Sequence, residues 1–304
     1  MALMTDTTAT YIDAKKLSKG AVRRFYDALE QRVAVTESLP DDDKRFEGDG
    51  IALMVGADVR GLFTYRGFAS LHADTTLYYP FGGVLAENRH ARHHRALIES
   101  LILKLKTDSK VEIIVSLDRQ PMQQADDVIE DESFWFAQGF SSLDTQIHYQ
   151  GAIKSFEVKD KLDFSVSEYA GGDDATNIQL CLLYREAYKR RLGIPNVTPD
   201  SINKQLAIPG CSYLVMRHKD ALIGQVTLFI TQSECYVDSI YVKRTYWGTG
   251  AADKLTQSLF NFAKTKGCQT VSGMAAFNNQ ASRALMERFG LVARYQVKRM
   301  ILSL

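Results

Sequence analysis

The chain has 304 residues, 45% of them hydrophobic and 24% charged, which suits one large globular domain or two of about 150 residues and argues against a disordered chain. Its 37 basic and 36 acidic side chains leave a formal net charge of +1, so no global field recruits nucleic acid or an anionic membrane. No apolar run approaches the roughly 18 residues of a membrane span, and the start MALMTDTTATY lacks the charged-then-apolar order of a signal peptide, so a cytoplasmic location is expected.

In chain order, the acidic stretch SLPDDDKRFEGDG (Ser38–Gly50) reads as a connector. YPFGGVLAENRHARHHRALIESLILKLKTDS, from Tyr79, reads as a strand entering a helix, followed by the strand EIIVS at Glu112 and the aromatic helix end FWFAQGF at Phe134. A second connector, YAGGDDAT (Tyr169–Thr176), lies just past the middle. The spacing then predicts a helix over 179–191, a break at Gly193 and Pro195, and a short helix over 199–206. Three strands follow: SYLVMRH, ALIGQVTLFIT after the Lys219-Asp220 turn, and CYVDSIYV. The loop KRTYWGTG leads into a helix with Leu255, Leu259, Phe262 and Ala263 at helical spacing, stopped by Gly267. A strand over 270–275, a helix over 280–289 and a strand over 294–302 complete the chain.

Sliding the first half by 158 positions sets Tyr79 against Val237, and Val84, Leu97 and Leu101 then meet Val242, Leu255 and Leu259. Both segments run into a strand and later into an aromatic helix end before glycine, which points to an internal duplication with units over 1–153 and 154–304. Cys181, Cys211, Cys235 and Cys268 lie far apart with no CxxC pair and are expected to be buried free thiols.

The loop WGTGAA is bare of side chains at the mouth of a helix. Glycine lets a backbone approach a ligand, and the first N–H groups of a helix are unpaired and partly positive, so Gly248, Thr249, Gly250, Ala251 and Ala252 form a candidate pyrophosphate seat. A dinucleotide fingerprint fails for want of a third glycine with a following acid, and a P-loop fails for want of GK[ST]. The segment Tyr241-Val242 followed by Trp247-Gly248-Thr249-Gly250-Ala251-Ala252 resembles the coenzyme A motif of the GNAT superfamily of N-acetyltransferases, with Trp247 at the usual Gln/Arg position. A second family block is matched by Asn279, Ser282, Glu287, Gly290 and Leu291.

The resemblance implies an α/β (α+β) architecture of two tandem GNAT-like domains, each a mixed, mostly antiparallel twisted sheet flanked by helices, in a layout similar to the mycothiol synthases. It further implies acetyl-CoA as acyl donor, held by Tyr241, Val242, Trp247, the loop amides, Asn279 and Ser282. The Val242 N–H would be an oxyanion donor worth ~3 kcal/mol. Acyl transfer to an amine needs a group to take a proton, and Glu234 and Asp238 are the candidate bases. Each lies an even number of residues before Val242, so an uninterrupted strand would put all three on one face. The family's usual tyrosine general acid falls at Met286, leaving Tyr241 or Tyr295 as possible substitutes.

The first-half counterpart of the glycine loop is RHARHH (Arg89–His94), whose bulky side chains would block backbone approach, so that unit is expected to be a degenerate copy that shapes the substrate cleft. His90, His93 and His94 lack supporting metal ligands and are expected on a solvated face, with a basic recognition patch as the alternative. The expected acceptor is a small-molecule or peptide amine, with neither membrane nor nucleic acid as partner and no metal. Oligomeric state is not readable. Two other readings compete: an acyl-CoA binding sensor, favoured by Met286, and an aminoacyl-tRNA dependent peptidyl transferase of related fold, disfavoured by the intact loop and near-zero charge.

Overall fold

The computed structural model describes residues 9–30, 49–72, 74–85, 91–106, 110–117, 120–121, 132–158 and 162–304. The chain divides into two compact units that follow contacts rather than chain order. One takes in residues 1–118, 129–143 and 299–304, the other 119–128 and 144–298.

The first unit starts with β1 (Ala9–Asp13), a 3-10 turn (Ala14–Lys16), α1 (Lys19–Glu30), β2 (Asp49–Val55), β3 (Asp58–Ala69), β4 (Thr75–Val84), α2 (Ala91–Leu105) and β5 (Lys110–Ser116). β1 to β4 form an antiparallel succession, and β5 pairs with β4 in parallel over Thr75–Tyr78 and Lys110–Ile113 only. After β6 (Gln120–Pro121), which belongs to the second unit, come α3 (Glu132–Ala137) and β7 (Ser141–Ala152). Leu97, Ile98, Leu101 and Leu105 recur at helical spacing on α2 and bury their stripe against Leu53, Phe63, Val84, Ile113, Trp135 and Phe140.

In the second unit β8 (Ser165–Tyr169) leads into α4 (Asp174–Tyr188), α5 (Pro199–Leu206), β9 (Cys211–His218), β10 (Ala221–Thr231) and β11 (Glu234–Val242). A 3-10 turn (Arg244–Tyr246), α6 (Ala251–Thr265), β12 (Thr270–Ala276), α7 (Gln280–Arg288) and β13 (Val292–Ser303) follow. β8 to β11 are antiparallel, β12 joins β11 in parallel, and the Gln146–Ala152 part of β7 pairs antiparallel with β12. β13 ends in the first unit, where Arg299–Ser303 pair with β5. One face of this sheet packs on α6 and α7 through Leu255, Leu259, Phe260, Met286 and Phe289, and part of the other packs on α4 and α5 through Leu180, Leu183 and Ile202.

The strand–helix–strand–helix match that the sequence expects from Tyr79 and from Val237 falls on β4, α2, β5 and α3 in the first half and on β11, α6, β12 and α7 in the second. The strand and helix expectations for the second half hold within a few residues, apart from α4. That helix starts at Asp174 because Gly171 and Gly172 take left-handed backbone and Asp173 caps it, accepting from the Ala175 N–H at 3.1 Å. Of the acidic connector only Asp49 and Gly50 are described, and they open β2. Arg89 and His90 lie outside the described residues. His94 corrects the solvated-face expectation: its ring stacks on Phe134 at 4.5 Å and meets Trp135 edge-on, because the first turns of α2 pack on α3. All four cysteines are free thiols, and among the described residues no cluster of His, Cys, Asp or Glu can hold a metal and no helix is long and apolar enough to cross a membrane.

Candidate active site

Two features of the second unit create an opening at the end of β11. The parallel register of β11 with β12 runs from Glu234↔Thr270 to Val237↔Gly273, after which the strands part. The Lys243 N–H donates to the Ile223 carbonyl of β10 at 2.7 Å, and N–H directions alternate along an extended strand. The N–H groups of Val242 and Ile240 therefore point away from β10, into the gap left by β12.

At the far end of that gap lies the start of α6. Gly248 and Gly250 adopt φ of 76° and 91°, left-handed conformations that other residues rarely hold. Gly250 is the N-cap and carries no side-chain hydrogen bond to the first turn, so the amides of Ala251, Ala252 and Asp253 have no side-chain cap. The Asp253 carboxylate, which would repel an anion there, is drawn to the Arg288 guanidinium at 2.5 Å. Trp247 braces the loop: its indole Nε1–H donates to the Val242 carbonyl at 3.0 Å, and the Arg244 guanidinium lies 5.7 Å from its ring centroid. The Thr249 hydroxyl donates to the Tyr246 carbonyl at 2.6 Å. Trp247→Phe keeps the ring and removes the donor, a net hydrogen bond of about 1 kcal/mol. We expect acetyl-CoA affinity to fall several-fold by calorimetry, and unchanged affinity would show that the brace does not shape the loop.

The three residues expected on one face of β11 do not share one. The register with β10 shifts between Thr227↔Ser239 and Leu228↔Val237, which leaves Asp238 as the extra residue of a β-bulge. Core-facing residues on the α6 side are accordingly Cys235 and Val237 before the bulge and Ile240 and Val242 after it. Glu234 is further separated by distance, because eight residues of strand at 3.3 Å each put it roughly 26 Å from Val242. Its carboxylate accepts from the Gln150 side chain at 3.4 Å, so it is not part of the opening.

Asp238 stays beside it. Water reaches its side chain although protein walls surround most of it, and this burial raises its pKa above the usual carboxylate value of 3.8. Among the described residues its carboxylate has neither a hydrogen bond nor an ion pair. Burial also pushes the Cys211 thiol up to about 12, with the Asp238 charge adding to the shift. The wall on this side is tyrosine-rich: Tyr184 and Tyr188 of α4 have ring centroids 4.7 Å apart, and the Tyr241 ring lies 6.2 and 6.1 Å from them. Behind that wall runs a buried polar chain. The Tyr241 hydroxyl donates to Gln225 Oε1 and Gln225 Nε2 donates to Thr227 Oγ1 at 2.5 Å, while the Tyr213 hydroxyl donates to Gln205 Oε1 at 2.6 Å.

Asn279 is the N-cap of α7, its Oδ1 accepting from the Ser282 N–H at 3.2 Å, which leaves its Nδ2 able to donate. Met286 is buried on the α6 face, its Cε packed toward Gly273. Neither substitute for a tyrosine at that position fits. Tyr241 lies on the opposite face of the sheet with its proton committed to Gln225, and Tyr295 stacks on His148 at 4.5 Å. Tyr184, Tyr188, Gln225 and Ile240 were not singled out in the sequence, since no local pattern marks a tyrosine wall or an N–H direction.

The parting of β11 from β12 ahead of an uncapped, glycine-entered helix fits the resemblance described above. Residues 179–291 match the model of the Acetyltransferase (GNAT) family, so the second unit carries a GNAT acetyltransferase domain. No curated protein matches the chain in sequence. Among solved structures it is similar to a GCN5-related N-acetyltransferase from Sphaerobacter thermophilus, with 12% identity, a TM-score of 0.66, and 96% of this chain and 95% of that one covered. A tandem GNAT protein from the clavulanic acid biosynthesis pathway gives 14% identity, a TM-score of 0.66 and coverages of 97% and 98%. The glucosamine N-acetyltransferase region of a fungal multi-domain GH3 β-N-acetylglucosaminidase gives 9% identity and a TM-score of 0.74, covering 98% of this chain and 38% of that one. At these identities the likeness is one of fold, and it extends over the tandem arrangement.

Proposed function

We propose that the second unit is an acetyl-CoA dependent N-acetyltransferase acting on a primary amine by direct attack in a ternary complex. The observation that carries this is the uncapped start of α6, entered through two left-handed glycines at the end of a gap edged by unpaired strand N–H groups. Bound acetyl-CoA would supply an acetyl thioester. The amides from Gly248 to Ala252 would donate to its pyrophosphate, and Asn279 Nδ2 to its pantetheine arm. The N–H groups of Ile240 and Val242 would donate along the gap. Ile240 is the better oxyanion donor, since two residues of strand, about 7 Å, separate it from Asp238 against four for Val242. Asp238 would take the proton of the incoming ammonium through one water, freeing the nitrogen lone pair. Its raised pKa brings it nearer the range in which a carboxylate works as a base.

The first unit, whose counterpart loop lies outside the described residues apart from the start of α2, would serve as a non-binding partner domain. Four free thiols fit a reducing, cytoplasmic setting. The buried Met286 favours one other reading, an acyl-CoA sensor without turnover. Isothermal titration with acetyl-CoA combined with a thiol-release assay over amines decides: binding with release supports the enzyme, binding without release on any amine supports the sensor, and no binding removes both.

A further inference from the structure

Ser272 lies in the middle of β12 at 1% exposure, and among the described residues its hydroxyl has no hydrogen-bond partner. Interior hydroxyls are nearly always satisfied, so an unmet one marks a place where the protein by itself does not supply the partner. The strand register fixes what surrounds it. Ser272 stands opposite Gln150 of β7 and Tyr236 of β11, and Glu234 stands opposite Thr270 two residues earlier. Cys235 and Val271 face α6, so by alternation Glu234, Tyr236, Thr270, Ser272 and Gln150 share the other face. The Gln150 side chain donates to the Glu234 carboxylate at 3.4 Å, and this long bond crosses β12 between Thr270 and Ser272. Gln150 and Glu234 are both half-buried, so water reaches the bridge that covers the hydroxyl.

The polar atoms gathered there mostly accept: the Glu234 carboxylate oxygens, Gln150 Oε1 and the lone pairs of the Ser272 hydroxyl, with one negative charge among them. An ammonium, with three N–H donors and a positive charge, is the complement. Glu234 lies four residues of strand, about 13 Å, before Asp238 at the opening. Tyr236 and Met274 are half-buried along that path, on the face that Ser272 shares. We propose that the acceptor is an elongated diamine whose reacting nitrogen meets Asp238 while its far ammonium enters between Gln150 and Glu234. There it replaces Gln150 as donor to the carboxylate and gives a second N–H to the Ser272 hydroxyl. This rests on the acetyltransferase reading and narrows its acceptor: a monoamine leaves the far seat empty, and a short diamine cannot span both ends.

The test uses the full chain, acetyl-CoA and thiol release with spermidine and diaminooctane against octylamine and putrescine. The two long diamines should exceed octylamine and putrescine by about tenfold or more in kcat/KM. Glu234→Gln should raise the spermidine KM about tenfold with kcat little changed, and should move the octylamine KM far less. Ser272→Ala should raise the spermidine KM about fivefold while Tm holds or rises, because it deletes a hydroxyl that the fold leaves unmet. Octylamine or putrescine used as well as the long diamines overturns the proposal, and so does a loss in either variant that is equal for spermidine and octylamine. A Ser272→Ala variant that loses Tm with its spermidine KM unchanged assigns the hydroxyl to the fold and also overturns it, as does acetyl-CoA binding with no long diamine turned over. Calorimetric titration of spermidine, with and without coenzyme A, keeps the two readings apart. Absence of acetyl-CoA binding removes the acetyltransferase reading, whereas absence of spermidine binding in a protein that binds acetyl-CoA removes only the ammonium seat.

Discussion

Gly250→Glu abolishes acetyl-CoA binding, with affinity reduced at least about 100-fold, or about 2.7 kcal/mol. The residue is the N-cap of α6 at φ of 91°, and its neighbours in the first turn present amides that no side chain caps. A glutamate there places bulk and a negative charge where a pyrophosphate would accept those N–H bonds. Any side chain at this φ also strains the backbone by roughly 1–2 kcal/mol, a cost that Gly250→Ala shares. Gly250→Ala is therefore the control: both variants should lose a similar few degrees of Tm, and only the glutamate should lose binding entirely. Calorimetric affinity for Gly250→Glu equal to that for Gly250→Ala would show that the anion does not rest on this helix.

Asp238→Asn lowers kcat/KM by about 10²- to 10⁴-fold, the usual contribution of a positioned base, without lowering Tm. The folded protein holds this carboxyl's pKa above its unfolded value through burial alone. Between those two values the folded state keeps a proton that the unfolded chain has released, so stability falls as pH rises through the window, and the ionised group opposes folding above it. Asparagine removes that opposition, so at neutral pH the variant should be as stable as the parent or more so. In the parent, kcat/KM should climb with pH on an acid limb lying above the usual carboxylate range. The variant should lack that limb. A variant that keeps full activity, or an acid limb that survives the substitution, would assign the proton to another group.

Much of this molecule can be read from local pattern. The helical spacing of Leu255, Leu259 and Ala263, the alternation of ALIGQVTLFIT, Asn279 before an apolar helix and the glycines of WGTGAA each encode their element within a few residues, because backbone preference and side-chain period act over short separations. The matching strand–helix–strand–helix order from Tyr79 and from Val237 is legible for the same reason. The base assignment shows where local pattern stops. Counting by twos from Glu234 and Asp238 to Val242 assumes regular alternation, and the bulge opposite Leu228 breaks it, setting Glu234 aside and leaving Asp238 at the opening.

His94 likewise reads as surface from its charged neighbours but stacks on Phe134, some 40 positions away in sequence. The sequence by itself determined the elements from α4 onward, their order and the glycine-entered helix start, because each depends on residues within a turn or a strand of one another. Only the tertiary structure decided which face Asp238 serves, that the Tyr241 hydroxyl donates to Gln225, and that the Arg191 guanidinium lies over the Tyr188 ring. Those outcomes depend on strand register and on contacts across α4, β9, β10 and β11, which no local spacing of residues records.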